Sequence, residues 1–137
     1  MLSLTYFSTA SSDLSKEDLL ELLERTRSKN TALGLTGVLL YSDGNFVQTL
    51  EGPEDVVEDA YARISRDRRH HGLFVALREE IEQRAYPEWS MGFREITREE
   101  SGSVPGFTDY LSATPGPRQS GQNRAEVFHR AFRTLMP

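Results

Sequence analysis

Residues 35–53 read LTGVLLYSDGNFVQTLEGP, and this stretch decides the fold. It holds two apolar runs, at 35–41 and 45–50, joined by a short segment that contains Asp43-Gly44. Asp-Gly tolerates the positive φ angles of a tight two-residue turn, so the stretch predicts a β-hairpin. Pro53 suits the first position of a helix, because its missing N–H would be unpaired there in any case.

The elements outside this hairpin follow from hydrophobic periodicity. Ser15 is a helix N-cap candidate, and Gly34 breaks the helix that follows it. The order is β-α-β-β-α-β-β, an α+β ferredoxin-like arrangement with a five-stranded mixed sheet. Right-handed crossovers place both helices on one face of that sheet. The predicted elements are a strand at 2–8, a helix at 16–28, a helix at 53–66, a strand at 73–77 and a strand at 89–96.

The second face of the predicted sheet also needs cover. Residues 37–41 are apolar in both phases of the strand, which is typical of a strand buried on both sides. Segment 101–121 is rich in Gly, Pro and Ser and predicts a loop, and 127–135 predicts an amphipathic helix. That helix either packs on the bare sheet face or binds a second chain. The sequence therefore divides into a domain at 1–97 and a C-terminal loop and helical extension at 98–137.

Composition excludes several classes of protein. The 137 residues include 16 Lys+Arg and 21 Asp+Glu, a net charge of −5, and no Cys. The lack of Cys excludes disulfide scaffolds, thiolate metal sites and cysteine–cofactor adducts. The acidic balance argues against nucleic-acid binding. The N-terminus lacks the pattern of a signal peptide, and no apolar run approaches a membrane span, so we expect a cytoplasmic protein.

Polar residues stand where a core would prefer apolar ones. Tyr6 is in phase with the apolar residues of the first strand, Gln48 with those of the hairpin's second strand, and Asn30 follows the first helix. Either these three side chains satisfy one another and the local backbone, or they bind a heteroaromatic ligand between the helices. His70, His71 and His129 do not have the spacing of a metal site, and we interpret them as surface residues.

Five segments of the chain, in order and spacing, resemble the motifs of the BLUF family, the blue-light sensors that use flavin. The resemblance covers residues 1–97. The segments are Leu4-Thr5-Tyr6-Phe7-Ser8; Ser28-Lys29-Asn30 leading to residues 34–41; Phe46-Val47-Gln48-Thr49-Leu50 with the following Glu51-Gly52-Pro53; Asp67-Arg68-Arg69-His70; and Trp89-Ser90-Met91-Gly92-Phe93.

The resemblance implies a flavin (FAD, with FMN or riboflavin as alternatives) between helices 16–28 and 53–66. Asn30 and Gln48 would bind the polar edge of its ring system. Lys29 stands where some relatives carry His or Asn. The implied cofactor-binding residues are Tyr6, Leu22, Thr26, Lys29, Asn30, Phe46, Gln48, Leu50, Ile64, Asp67, Arg69 and His70.

The resemblance also implies a photochemical role for particular residues. Electron and proton transfer from Tyr6 to the photoexcited flavin would let the Gln48 amide rotate or tautomerise, exchanging its donor and acceptor ends. Trp89 or Met91 would pass the change through the fifth strand to the C-terminal segment. The chemistry would run through hydrogen bonds, since the chain has no Cys.

We therefore expect a short, stand-alone sensor without enzyme activity, acting on an unidentified partner protein or through a homo-oligomer interface. Two other classes stay open on the residues alone. An acylphosphatase-like hydrolase shares the ferredoxin-like sheet and uses Arg and Asn, but the chain has no Gly-rich phosphate loop that would place an Arg beside a strand end. A protein-interaction module without flavin would need Tyr6, Asn30 and Gln48 to be purely structural.

Overall fold

A computed structural model describes residues 1–12, 14–101 and 104 of the chain. Five strands and two helices follow one another in the predicted order, and one additional short helix follows the last strand. The elements are β1 (Leu2–Ala10), α1 (Lys16–Leu33), β2 (Thr36–Ser42), β3 (Asn45–Gly52), α2 (Glu54–Ser65), β4 (His70–Glu80), β5 (Gly92–Glu95) and α3 (Arg98–Ser101).

The strands form one mixed sheet in the order β4-β1-β3-β2-β5. β1 pairs antiparallel with both β3 and β4, β2 pairs antiparallel with β3, and β5 lies parallel to β2. The α+β ferredoxin-like prediction with a five-stranded mixed sheet is confirmed. The register places Tyr6 directly opposite Gln48, which brings two of the polar candidates together at the centre of the sheet.

Local sequence explains how the elements begin and end. Ser15 caps α1 by accepting from the Asp18 N–H, while the Asp18 carboxylate accepts from the Ser15 N–H, each at 3.1 Å. Gly34 ends that helix in the left-handed conformation at φ 73°. In the hairpin turn, Asp43 and Gly44 have φ angles of 48° and 85°, as the Asp-Gly pair predicts.

Three predicted boundaries are wrong by several residues. Helix α1 runs on to Leu33 because nothing before Gly34 interrupts it. Strand β4 spans 11 residues because it pairs along the whole of β1. Strand β5 begins at Gly92 instead of Trp89, since its pairing with β2 begins only at Gly92 and the Trp89 N–H donates to the Tyr86 carbonyl at 3.2 Å.

Both helices lie on the same face of the sheet, as predicted. Leu19 and Leu23 of α1 and Val57 and Ala60 of α2 are buried in one cluster with alternate residues of the strands. The strand residues in this cluster are Leu2, Leu4, Tyr6, Leu39, Tyr41, Phe46 and Leu50. This packing holds the two helices over the strands that carry Tyr6 and Gln48.

The second face of the sheet is apolar and covered, as the two-phase pattern predicts. Tyr86, Ile96 and Val104 are buried there, with Trp89 packed against them. The strand residues in this cluster are Phe7, Val38, Leu40, Val47, Ala76 and Leu77. The predicted helix at 127–135 lies outside the described residues, so its packing and the division at residue 97 stay predictions.

Candidate functional site

A cavity of about 320 Å³ lies between α1 and α2 above the sheet. This volume falls within the range of about 300–1,000 Å³ that is usual for small-molecule sites. All twelve residues predicted to bind a cofactor line it. They are Tyr6, Leu22, Thr26, Lys29, Asn30, Phe46, Gln48, Leu50, Ile64, Asp67, Arg69 and His70.

Tyr6 and Gln48 form a buried hydrogen-bonded pair on the floor of the cavity. The Tyr6 hydroxyl donates to Oε1 of Gln48, and the two side chains are 3% and 5% exposed. Nε2 of Gln48 donates to Sδ of Met91 at 3.6 Å. A thioether is a weak acceptor, so this amide has capacity to donate more strongly to a group in the cavity.

Burial raises the pKa of the Tyr6 phenol well above its ordinary range, with smaller contributions from Tyr61 and Asp67. The ring of Tyr61 meets that of Tyr6 edge to face, with centroids 5.3 Å apart. Desolvation disfavours the phenolate, so Tyr6 remains a neutral O–H donor across the physiological pH range. The proton that it holds lies against Gln48.

Asn30 links α1 to the segment that precedes β5. It is buried in the last turns of α1, and its Nδ2 donates to the Ser90 carbonyl at 2.6 Å. Nearby, Nε of Arg27 donates to the Met91 carbonyl at 2.9 Å. Two α1 side chains therefore hold the backbone on either side of the position from which Met91 reaches Gln48.

The charged edge of the cavity is built from the turn between α2 and β4. Arg69 Nη2 contacts Asp67 Oδ2 at 2.6 Å, and its Nε lies 3.0 Å from both carboxylate oxygens. These bonds from Arg69 lower the pKa of Asp67 to about 2. The carboxylate thus stays ionised and fixes the guanidinium at the rim of the cavity.

His70 connects this charged edge to the sheet. Its Nε2 lies 2.6 Å from the Ile64 carbonyl and must donate to it, since a carbonyl only accepts. Its Nδ1 lies 3.0 Å from the Ser8 hydroxyl. The imidazole is therefore held from α2 and β1, with its ring centroid 6.4 Å from that of Tyr6.

The apolar part of the wall comes from both helices and from β3. Leu22, Ile64, Phe46 and Leu50 supply aliphatic and aromatic surface. The Thr26 hydroxyl donates to the Leu22 carbonyl at 2.8 Å and so is used within α1. A flat ring system would find apolar surface on its sides and amide groups at its edge.

The structure separates the two residues considered for signal output. Met91 is 1% exposed and contacts Gln48. Trp89 lies on the other face of the sheet, with its ring stacked on that of Tyr86 at 5.8 Å. Neither is among the described residues that line the cavity, but Met91 is bonded to Gln48, which lines it, whereas Trp89 packs on the opposite face of the sheet.

Eight further residues line the cavity and were not predicted. Asp18, Glu21 and Arg25 lie on the same stripe of α1 as Leu22 and Lys29, so helical spacing from the predicted residues would have found them. The eight are Ser8, Leu14, Asp18, Glu21, Arg25, Leu39, Ala60 and Arg63.

These residues fit a flavin. Buried amides suit a heteroaromatic edge with both donors and acceptors, apolar walls suit the flat rings, and cations at the rim suit a phosphate-bearing tail. Within the described part of the chain, no group of His, Cys, Asp and Glu could hold a metal ion. The helices among those residues are too short or too polar to span a membrane.

Comparison with known sequences points to one family. The sequence profile described as "BLUF: Sensors of blue-light using FAD" matches residues 1–92. The chain is 39% identical over 111 residues to the photoactivated adenylate cyclase subunit beta of Euglena longa. This match includes 80% of the chain but only 13% of the cyclase subunit's length.

Comparison with solved structures gives the same result for the fold. The dark-state structure of BlrB, a BLUF protein, has a TM-score of 0.74 at 31% identity, over 97% of this chain and 95% of that one. A bacterial light-regulated adenylyl cyclase has a TM-score of 0.67 at 34% identity, over 69% of this chain and 28% of that one.

Proposed function

The chain belongs to the BLUF family, the sensors of blue light that use FAD, and from that premise we propose that light acts on it through Tyr6 and Gln48. The observation that carries the proposal is the buried hydrogen bond from the Tyr6 hydroxyl to Gln48 Oε1 at the cavity floor. A phenol and an amide in contact can exchange a proton and change their hydrogen-bond pattern without any covalent bond to a ligand.

The flavin, when bound, supplies the absorption of blue light and an excited state that is a strong oxidant. We propose that Asn30 and Gln48 hold its polar edge and that Leu22, Ile64 and their apolar neighbours exclude water from its sides. Arg69, fixed by Asp67, would hold an anionic part of the cofactor at the rim.

The switch is the orientation or tautomer of the Gln48 amide. In the described arrangement Oε1 accepts from Tyr6 and Nε2 donates to Met91. When Tyr6 loses an electron to the excited state that the bound flavin supplies, its hydroxyl becomes strongly acidic and its proton can pass to Oε1. The neutral Tyr6 radical that remains has no proton to donate, so the bond that fixes this orientation is lost. The amide can then rotate or tautomerise, which changes the donor or acceptor that it offers to the cavity and to Met91.

Met91 carries the change out of the cavity in this proposal. It immediately precedes β5, which pairs with β2 beside the strand of Gln48. A change in the Gln48–Met91 contact therefore reaches the edge of the sheet and the segment after it. Such a signal shifts the balance between two conformations of the chain.

We propose that the chain is a sensor that passes its signal to an effector, which is either a further domain or a partner protein. The Euglena longa relative is a subunit of a photoactivated adenylate cyclase, so a cyclase is one candidate effector. The purified chain should not form cyclic AMP from ATP in light or darkness. Cyclic AMP formed by the purified chain would contradict the sensor-only proposal.

Absorbance spectroscopy tests the light response. Protein refolded or expressed with FAD should be yellow, and blue light should shift its absorbance to longer wavelength, with full recovery in the dark. Protein that takes up no flavin would contradict the binding site. Protein that binds flavin without a reversible red shift would contradict the switch.

A further inference from the structure

Glu51 is a fully buried carboxyl group outside the cavity. It lies on β3, three residues after Gln48, in the phase of the strand that faces the second side of the sheet, and it is 0% exposed. Glu is almost never fully buried unless its oxygens have partners, because removing a charge from water is costly. The partners of this side chain therefore indicate why it is there.

Three hydrogen bonds satisfy the carboxylate, and two of them come from the loop between β4 and β5. The backbone N–H of Tyr86 donates to Oε1 at 2.7 Å, and that of Ala85 donates to Oε2 at 2.8 Å. The Thr36 hydroxyl donates to Oε1 at 2.8 Å. Hydrogen bonds to a charged acceptor are among the stronger ones in proteins.

Arg84 fastens the same loop at a second point. Its Nη2 donates to the Gly34 carbonyl at 2.7 Å, and its Nη1 donates to the Thr36 hydroxyl at 2.9 Å and to the Glu51 carbonyl at 3.1 Å. The Thr36 hydroxyl thus stands between the guanidinium and the carboxylate. Residues 84–86 are held to β3 and to the start of β2.

The far end of this loop is bonded to β2, to α1 and to Gln48, which lines the cavity. The Trp89 carbonyl accepts from the Gly37 N–H at 3.0 Å, the Ser90 carbonyl accepts from Asn30, and Met91 Sδ accepts from Gln48. Only five positions separate Tyr86 from Met91. The segment from residue 85 to Met91 is therefore short and is bonded at both ends. The Glu51 carboxylate holds its first residues, an arrangement called here the Glu51 clamp, and Met91 at its other end contacts Gln48.

We propose that Glu51 is a positioning residue of the photoresponse: its carboxylate pins residues 85–86 and so keeps Met91 against the Gln48 amide. This inference rests on the proposed function. If Met91 is held loosely, it restricts rotation of the Gln48 amide less. Gln48 then returns to its dark orientation over a lower barrier. Glu51 touches neither the cavity nor Gln48, and its effect is on the lifetime of the light state.

Glu51→Gln tests the proposal, because the amide places an N–H₂ group where a carboxylate oxygen accepts from a backbone N–H. We expect normal FAD content and a normal dark spectrum with dark recovery at least about tenfold faster, the effect of losing one hydrogen bond to a charged group. Hydrogen exchange should also quicken at the amides of Ala85 and Tyr86. Glu79→Gln, the same change at an exposed site on β4, is the matched control.

Recovery that is unchanged or slower in folded, FAD-loaded Glu51→Gln would overturn the inference. If that variant does not fold, Glu51→Asp decides, since it keeps the charge but withdraws the carboxylate from the Ala85 and Tyr86 N–H groups by one methylene; unchanged recovery there has the same meaning. A wild-type chain without a red shift would contradict the proposed function instead. The exchange rates of Ala85 and Tyr86 would still test the clamp by themselves.

Discussion

The Tyr6 hydroxyl donates to Gln48 Oε1 between residues that face each other directly across the antiparallel pair of β1 and β3. Directly opposed side chains on one face of such a pair lie within contact distance, so the sheet itself brings phenol and amide together. Burial keeps the phenol protonated. The Tyr6 phenol and the Gln48 amide thus lie on two paired strands, and each of the two residues can be substituted separately.

Gln48→Leu should keep the flavin and lose the light response. Leu has similar bulk and completes the apolar wall beside Phe46 and Leu50, but it can neither accept from Tyr6 nor offer a second hydrogen-bonding pattern. Absorbance spectra before and after blue light check this, with FAD content measured on the same sample. A reversible red shift in this variant would show that the amide is not the switch.

Gln83→Leu is the matched control for that variant. Gln83 is exposed in the loop between β4 and β5, so the same substitution there leaves the cavity unchanged. We expect its red shift and recovery to equal those of the wild type. Loss of the response in both variants would point to a general effect of adding a leucine.

Tyr6→Phe should bind FAD and show no red shift, because the phenol is the group that holds the transferable proton against Gln48. Tyr61→Phe is the matched control: its ring contacts Tyr6 edge to face at a centroid distance of 5.3 Å, and its loss of a hydroxyl should leave the red shift intact. A full photocycle in Tyr6→Phe would remove Tyr6 from the mechanism.

The raised pKa of Tyr6 should make the free energy of unfolding depend on pH in the alkaline range. Its pKa is raised in the folded state, chiefly by burial, so above about pH 10 the unfolded chain releases a proton that the folded chain retains. The free energy of unfolding then falls as pH rises, by up to about 1.4 kcal/mol per pH unit. Denaturant unfolding between pH 8 and 11 should show a smaller fall in Tyr6→Phe. Equal slopes in the two proteins would contradict the raised pKa.

Most of the cavity could be predicted from the sequence. Gln48 and Tyr6 can be identified because they are polar residues at strand positions whose neighbours on the same face are apolar. Asn30, Asp67 and Arg69 follow from the resemblance to the family. The twelve residues converge because strand alternation and helical periodicity fix which face each side chain takes.

The sequence did not reveal the loop between β4 and β5. The sequence pattern places Trp89 inside the fifth strand, yet its N–H is bonded within a turn and its ring stacks on Tyr86. No sequence pattern indicates that Glu51 holds this loop, because the two loop groups that bond to its carboxylate are backbone N–H groups more than 30 positions away. Side-chain bonds to a distant backbone depend on tertiary placement and leave no pattern in residue types.

Asp67 should titrate at about pH 2, below its ordinary value of 3.8, because Arg69 donates several hydrogen bonds to its carboxylate. The lowered pKa means that this pair adds stability above about pH 4 and that the contribution is lost as pH falls towards 2. NMR titration of the Asp67 carboxyl carbon measures this directly. In Arg69→Met the pKa should return toward 3.8; a value that stays near 2 would show that another group lowers it.

Met91→Leu and Trp89→Phe should separate the two candidates for output. Met91 Sδ lies 3.6 Å from Gln48 Nε2, whereas Trp89 stacks on Tyr86 on the other face of the sheet. Leu nearly conserves the volume of Met but cannot accept a hydrogen bond, so Met91→Leu should change the rate of dark recovery while FAD content stays constant.

Trp89→Phe keeps an aromatic ring against Tyr86 and should leave both the size of the red shift and its recovery as in the wild type. Flash photolysis of the two variants gives both quantities. An altered recovery in Trp89→Phe with a normal one in Met91→Leu would assign the relay to the second face of the sheet.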